Sequence, residues 1–202
     1  MPETKHINRS TLYASSADFQ QIFDEDMNRL YLLSYLLTGD REKAEQCFVS
    51  GLEDAVGSNP VFKEWARSWA RRVIIQNAVR LMNPRAAGKD GRLRSASVDN
   101  GDKAIAAEPQ AEIAAVLALE PFDRFVYVVT VLEEYSEQDC SVLLGCARRD
   151  VLAARMRALL QIGRSMESHG QLWRNISAEK PVSHEKYSVF KLLVTPRVVN
   201  PA

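Results

Sequence analysis

The sequence predicts an all-α protein: two small helical domains joined by a flexible linker, the second domain carrying a helix-turn-helix. Three observations predict it. Apolar residues recur at about 3.6-residue spacing on both sides of a central stretch, the period of helices with one buried face. That central stretch, 83–110, reads NPRAAGKDGRLRSASVDNGDKAIAAEPQ and has Gly, Pro, Ser, Asn and Asp without any period. Tyr135 to Gln161, YSEQDCSVLLGCARRDVLAARMRALLQ, reads as a helix, a tight turn and a second helix with a basic start. The predicted boundaries are 18–82 for the first domain, 83–110 for the linker, 111–166 for the second domain and 167–202 for a tail.

The elements follow in order. Residues 1–17 are polar and predict a frayed start. Phe19, Phe23, Met27, Leu30, Leu33 and Leu37 keep one helical period, with Asp18 as the predicted cap and Thr38-Gly39-Asp40 as the stop. A second helix, Arg41 to Val56, is expected to bury Ala44, Phe48 and Ala55 with Cys47 and Leu52 alongside. Gly57-Ser58-Asn59-Pro60 breaks it, and Pro60 suits the first position of a third helix reaching Met82. In that helix Phe62, Trp65, Trp69 and Val73 share a face, while Arg67, Arg71, Arg72 and Arg80 lie on others. A basic helix of this kind tracks a phosphate backbone and offers rings to unstacked bases. The same aromatics at i, i+4 also suit a core, Trp69 more readily than Trp65.

Beyond the linker the pattern resumes at Ala111, and Pro121 opens FDRFVYVVTVLEE. Val126 to Val131 has strand propensity, but helical neighbours and the lack of a pairing strand predict a helix. Ser136 stands as an N-cap three residues before Asp139. Cys140, Leu143 and Leu144 predict the buried face behind it, and Gly145 the φ > 0 turn. The next helix is expected to bury Leu152, Met156, Leu159 and Leu160, with Asp150, Arg157 and Gln161 on the opposite side. Arg148 and Arg149 sit in its first turn, the part of such a motif that enters the major groove. Arg157, further along, suits a phosphate, and Arg155 lies beside the apolar stripe. An ordinary antiparallel helix pair with solvated arginines is the competing reading.

Composition narrows the function. The chain has 202 residues and a formal net charge of zero. That zero divides into −5 over 1–60, +7 over 61–95, −6 over 96–134 and +4 over 135–202. The two basic segments include the helices singled out above and could each meet phosphates, with solvated surface faces as the competing reading. No run approaches the roughly 18 apolar residues of a membrane span, and MPETKHINRS lacks the apolar core of a signal peptide, which predicts a cytoplasmic protein without membrane insertion. Three cysteines give no disulfide framework, and Cys140 and Cys146 are too far apart for a CxxC pair; buried thiols are expected, with no metal and no cofactor. No His, Cys, Ser or carboxylate stands at a spacing that catalysis needs, so an enzyme is not predicted.

Order and spacing together resemble a small sigma-70-type factor of the extracytoplasmic-function group, over about 18–82 (region two) and 111–164 (region four). Leu37-Thr38-Gly39-Asp40 followed by Ala44-Glu45 looks like the family's LTGD…AE signature. Trp65, Ala70, Arg71 and Arg80 fall on its W…IARN…R pattern, and Leu119, Pro121 and Arg124 on its LP…R start. Tyr135-Ser136, Asp139, Leu144-Gly145-Cys146 and Val151 resemble its YS..E…LG.s…V motif.

The resemblance implies a protein that directs core RNA polymerase to promoter DNA, with an anti-sigma protein as a further partner. On this reading promoter contacts are expected from Arg148, Arg149, Arg155 and Arg157, and melting from Trp65, Arg67, Arg71, Arg72 and Arg80, of which the family pattern covers Trp65, Arg71 and Arg80; Glu45, Gln46, Val49 and Ser50 stand at the family's polymerase-contacting positions. The chain also departs from the family. Val49 and Ser50 replace a Gln-Glu pair, Gln46 an Asp, Arg72 an Asn and Gln76 an Asp, and one extra residue precedes Arg155. These departures favour DNA recognition over clamp binding. A sigma-derived DNA-binding regulator that no longer engages polymerase, and a helical protein-interaction module, remain the alternatives.

Overall fold

In the computed structural model, which describes residues 12–57, 60–86 and 108–177, every regular element is helical. The chain divides into two units, Met1–Pro84 and Arg85–Ala202. No helix among the described residues is long and apolar enough to cross a membrane.

The first unit holds α1 (Ser16–Glu25), α2 (Met27–Thr38), α3 (Arg41–Val56) and α4 (Ala66–Met82). The single helix expected from Phe19 to Leu37 is two helices, because the chain bends at Asp26, whose φ/ψ of −102°/15° leaves the helical region. The cap also differs: Ser15 is the N-cap of α1, and Asp18 closes the capping box from the third helical position. Asp18 accepts hydrogen bonds from the Ser15 backbone N–H at 2.7 Å, the Ser15 hydroxyl at 2.6 Å and Lys63 at 3.2 Å. The Ser15 bonds first, then Lys63, hold its carboxyl down at about 2, against an ordinary 3.8. A depressed carboxylate stabilises the fold above its unfolded pKa and loses that contribution as pH falls through the folded value. Helical signal from the first unit should therefore drop between about pH 4 and 2. Ser15→Ala should blunt that drop in a circular-dichroism titration; an unchanged titration would remove the capping box as its cause.

Helix α3 has the expected limits but a slightly rotated buried face. Ala44, Cys47, Gly51 and Ala55 are buried, while Phe48 packs edge-on against Phe23 and Tyr31 at the border. Gly51 lets α3 lie close against Ile74 of α4: a Cβ there would lie 2.5 Å from Ile74 Cδ1. Helix α4 begins at Ala66, not Pro60. Residues 61–63 are engaged instead in extended pairing, Ala14 N–H donating to Val61 O at 2.7 Å and Lys63 N–H to Leu12 O at 3.0 Å, before a single 3-10 turn at Lys63–Trp65. The side of α4 that enters the core is Ala66, Ala70, Val73, Ile74, Ile75, Asn77 and Ala78, so Phe62 and Trp65 lie outside it.

The second unit holds α5 (Glu108–Leu117), α6 (Pro121–Tyr127), α7 (Glu137–Leu144) and α8 (Arg148–Ser177). Pro121 occupies the first turn of α6, whose last residues open into a π turn, Val128–Leu132. The β-branched run is thus helical, and 122–130 are all buried. Of the linker, 87–107 lie outside the described residues, as do 178–202 of the tail; α8 continues through the first part of that tail as far as Ser177.

Helix α8 departs most from expectation. Its buried face is Val151, Ala154 and Ala158, and Leu152, Met156, Leu159 and Leu160 point to solvent. Small residues let α8 lie close to α6. Two polar ties fix its rotation: Arg157 grips Asp123 of α6, and Gln161 Nε2 donates to Ala118 O at 3.1 Å. With Arg157 and Gln161 turned toward the unit, the leucines on the other side must face out.

Candidate nucleic-acid interface

In the second unit the site is the turn between α7 and α8. The Ser136 hydroxyl accepts from Asp139 N–H at 3.0 Å and starts α7, where Cys140 is buried and Leu143 and Leu144 are half-buried. Gly145 ends α7 in the left-handed region, φ 61°, and Cys146 N–H returns to Ser141 O at 3.1 Å. Three residues later Arg148 begins α8.

Glu137, in the first turn of α7, then sets how the two helices meet. It accepts from Arg155 at 2.8 Å and from Arg148 at 3.3 Å, tying both arginines of α8 to α7. Arg157 makes a bidentate pair with Asp123, at 2.8 and 2.6 Å, whose hydrogen bonds push the guanidinium pKa further up. Arg149 is different: its side chain is 88% exposed and its ion pair is a 3.8 Å contact with the adjacent Asp150. Of the four arginines expected to meet DNA here, Arg149 is the most available, Arg148 is partly so, and Arg155 and Arg157 hold the unit together.

In the first unit Trp65 stands at the N-terminus of α4, 57% exposed. Its ring meets Phe62 edge-on at 5.2 Å, and Phe62 stacks on Tyr13 at 4.8 Å, an aromatic ladder on the surface. Trp69 is half-buried, with an enclosed indole N–H that has no hydrogen-bond partner among the described residues. Arg67 is bound by both Glu25 and Asp26, across the bend that separates α1 from α2. Arg80 pairs with Asp54 at 2.8 Å, an acid that also accepts from Asn77. Arg71 is half-buried and Arg72 is exposed. Tyr13 is a component that sequence reasoning missed, since it lies in a stretch read as frayed and is brought in by the pairing with residues 61–63.

Glu45, Gln46 and Val49 are exposed on the outer side of α3, with Ser50 half-buried beside them. A shallow cavity of about 230 Å³ opens there, lined by Gln46, Cys47, Ser50, Asn77, Arg80 and Leu81. Burial pushes the Cys47 thiol up to about 11 and the Cys140 thiol to about 12, so neither supplies a thiolate at neutral pH. Among the described residues no group of three His, Cys, Asp or Glu is placed to hold a metal ion.

No protein-family model and no curated protein matches the chain. Among solved structures it is similar to the sigma factor RpoE of Bartonella quintana, solved in complex with the anti-sigma factor NepR. The identity is 19%, over 74% of this chain and 97% of that chain, with a TM-score of 0.43. At that likeness the functional reading rests on this chain's own residues.

Proposed function

We propose that the chain is a sigma-factor-like DNA-binding protein that directs RNA polymerase to promoters, using the α7–α8 pair as a helix-turn-helix. The observation that carries the reading is Arg149, a guanidinium in the first turn of α8 whose side chain is 88% exposed and whose ion pair is the long 3.8 Å contact with Asp150. That is the position from which such a motif reads base edges in the major groove. Support from the first unit is the exposed Trp65 beside Phe62 and Tyr13, a stacking platform of the kind that holds unpaired bases, with Arg72 exposed on α4, which follows it. Glu45, Gln46, Val49 and Ser50 are the proposed polymerase face, and an anti-sigma protein is the further partner the family resemblance implies.

Three measurements test the reading. Mixing the protein with core polymerase should give co-elution on a sizing column, and a promoter complex should form that weakens as salt rises. Separation from polymerase with retained DNA binding would mark a regulator that has lost its polymerase contact. Trp65→Ala should impair promoter opening more than polymerase binding; equal permanganate reactivity for mutant and wild type would show that the ring does not hold a base.

One observation favours a second reading. Leu152 and Met156 face outward on α8 just beyond Arg149, where a groove-reading helix more often carries polar side chains. A helical protein-interaction module would use that face instead, and absence of any salt-dependent DNA shift would decide for it.

A further inference from the structure

Leu152, Met156, Leu159 and Gly163 follow one another at intervals of four, three and four residues, all exposed, on the side of α8 opposite its buried Val151, Ala154 and Ala158. Leu160, also exposed, widens the stripe. Intervals of four and three are those of a helix seam that packs on a second helix. Gly163 adds an independent observation. A glycine within a helix is unfavourable, and a side chain at Gly163 would meet nothing within 4 Å in this chain. Nothing among the described residues accounts for it; close approach of another helix does.

Charge selects the occupant. The stripe has Arg149 beside its first residue and the exposed Glu167 beyond its last. We infer that the outer face of α8 is a self-association surface, on which a second copy of this chain lays its own α8 antiparallel. With the two-fold axis between Arg157 and Ala158, Leu152 meets Gly163 of the second copy and Met156 meets Leu159, and each pairing occurs twice. Arg149 then comes within one residue of Glu167 of the second copy at both ends. A parallel arrangement sets Arg149 against Arg149 and brings like charges together, so the antiparallel pair is the one the charges permit. One helix face makes a small interface, with a dissociation constant on the order of 10–100 µM. The surface includes Arg149, so association and DNA binding compete, but the inference does not rest on DNA binding.

The test is sedimentation of the full chain, without DNA, from about 5 to 500 µM, a range chosen to bracket that affinity. The expected result is a concentration-dependent dimer that Met156→Glu weakens about 100-fold with circular dichroism unchanged. Arg149→Glu and Glu167→Arg should each weaken it roughly tenfold, and the two together should restore it. Gly163→Gln should favour the helix and still weaken the dimer. A wild type that stays monomeric throughout overturns the inference, whether residues 178–202 or a different protein covers the stripe. So does a dimer indifferent to Met156→Glu, or a double charge reversal as weak as either single one.

Discussion

Replacing Arg157 with alanine should lower the thermal transition of the second unit by roughly 10 °C and leave DNA recognition intact in the folded fraction. Asp123 lies in the first turn of α6 and is 7% exposed. Its carboxylate is held by two charge-assisted hydrogen bonds from one planar guanidinium. Removing the arginine leaves an acid enclosed against the α6–α8 interface without that opposite charge. Breaking a fully buried pair in this way costs about 3–5 kcal/mol. The Arg157 side chain is more than half exposed, so water screens the pair and reaches the vacated site, and about 2 kcal/mol is the better expectation. For a unit of this size each kcal/mol moves the midpoint by about 4–8 °C. Arg157→Lys keeps the charge but loses the fork and should fall between. The check is calorimetry beside DNA binding measured well below the transition. A normal midpoint with binding weakened equally on every sequence would return Arg157 to the phosphate-contacting role its position in the sequence suggested.

That role illustrates what the sequence could and could not disclose. The helical class, the limits of α3, the cap at Ser136 and the left-handed turn at Gly145 rest on local signals, and local signals are written in adjacent residues. The rotation of α8 is not local. Val151, Ala154 and Ala158 compete for burial with a stripe of Leu152, Met156, Leu159 and Leu160, and hydropathy alone prefers the leucines. Asp123 of α6 and the Ala118 carbonyl in the turn before it decide otherwise, through contacts over 34 and 43 residues of separation. The ion pairs that occupy Arg67, Arg80 and Arg155 are likewise long-range, so basic residues legible as a charge block turn out to be structural ties. The start of α4 moved for a related reason: the extended pairing of 12–14 with 61–63 engages backbone that a helix from Pro60 would have used.

Arg149→Ala should relax sequence preference on duplex DNA by about 5- to 150-fold, the equivalent of about 1–3 kcal/mol for one bidentate guanine contact. Arg149 qualifies because it combines position with availability. It lies in the first turn of α8, it is almost fully exposed, and its contact with Asp150 at 3.8 Å is too long and too solvated to compete with a base. Arg148, one residue earlier, shares Glu137 with Arg155, so the acid draws it toward α7. Its expected part is a phosphate contact, and Arg148→Ala should weaken all sequences alike while lowering the salt slope by about one. Glu137→Gln supplies the converse. It withdraws the negative charge holding Arg148 and Arg155, and should raise affinity for every duplex and steepen the salt dependence. The preferred duplex is first selected from a randomised pool. Anisotropy is then recorded for each variant on that duplex and on a scrambled one, at salt from about 50 to 200 mM, the range over which phosphate contacts are most readily counted. Arg149→Ala should close the gap between the two duplexes at every salt concentration. If it instead shifts both by the same factor, Arg149 meets only phosphate, and the first turn of α8 does not read the groove.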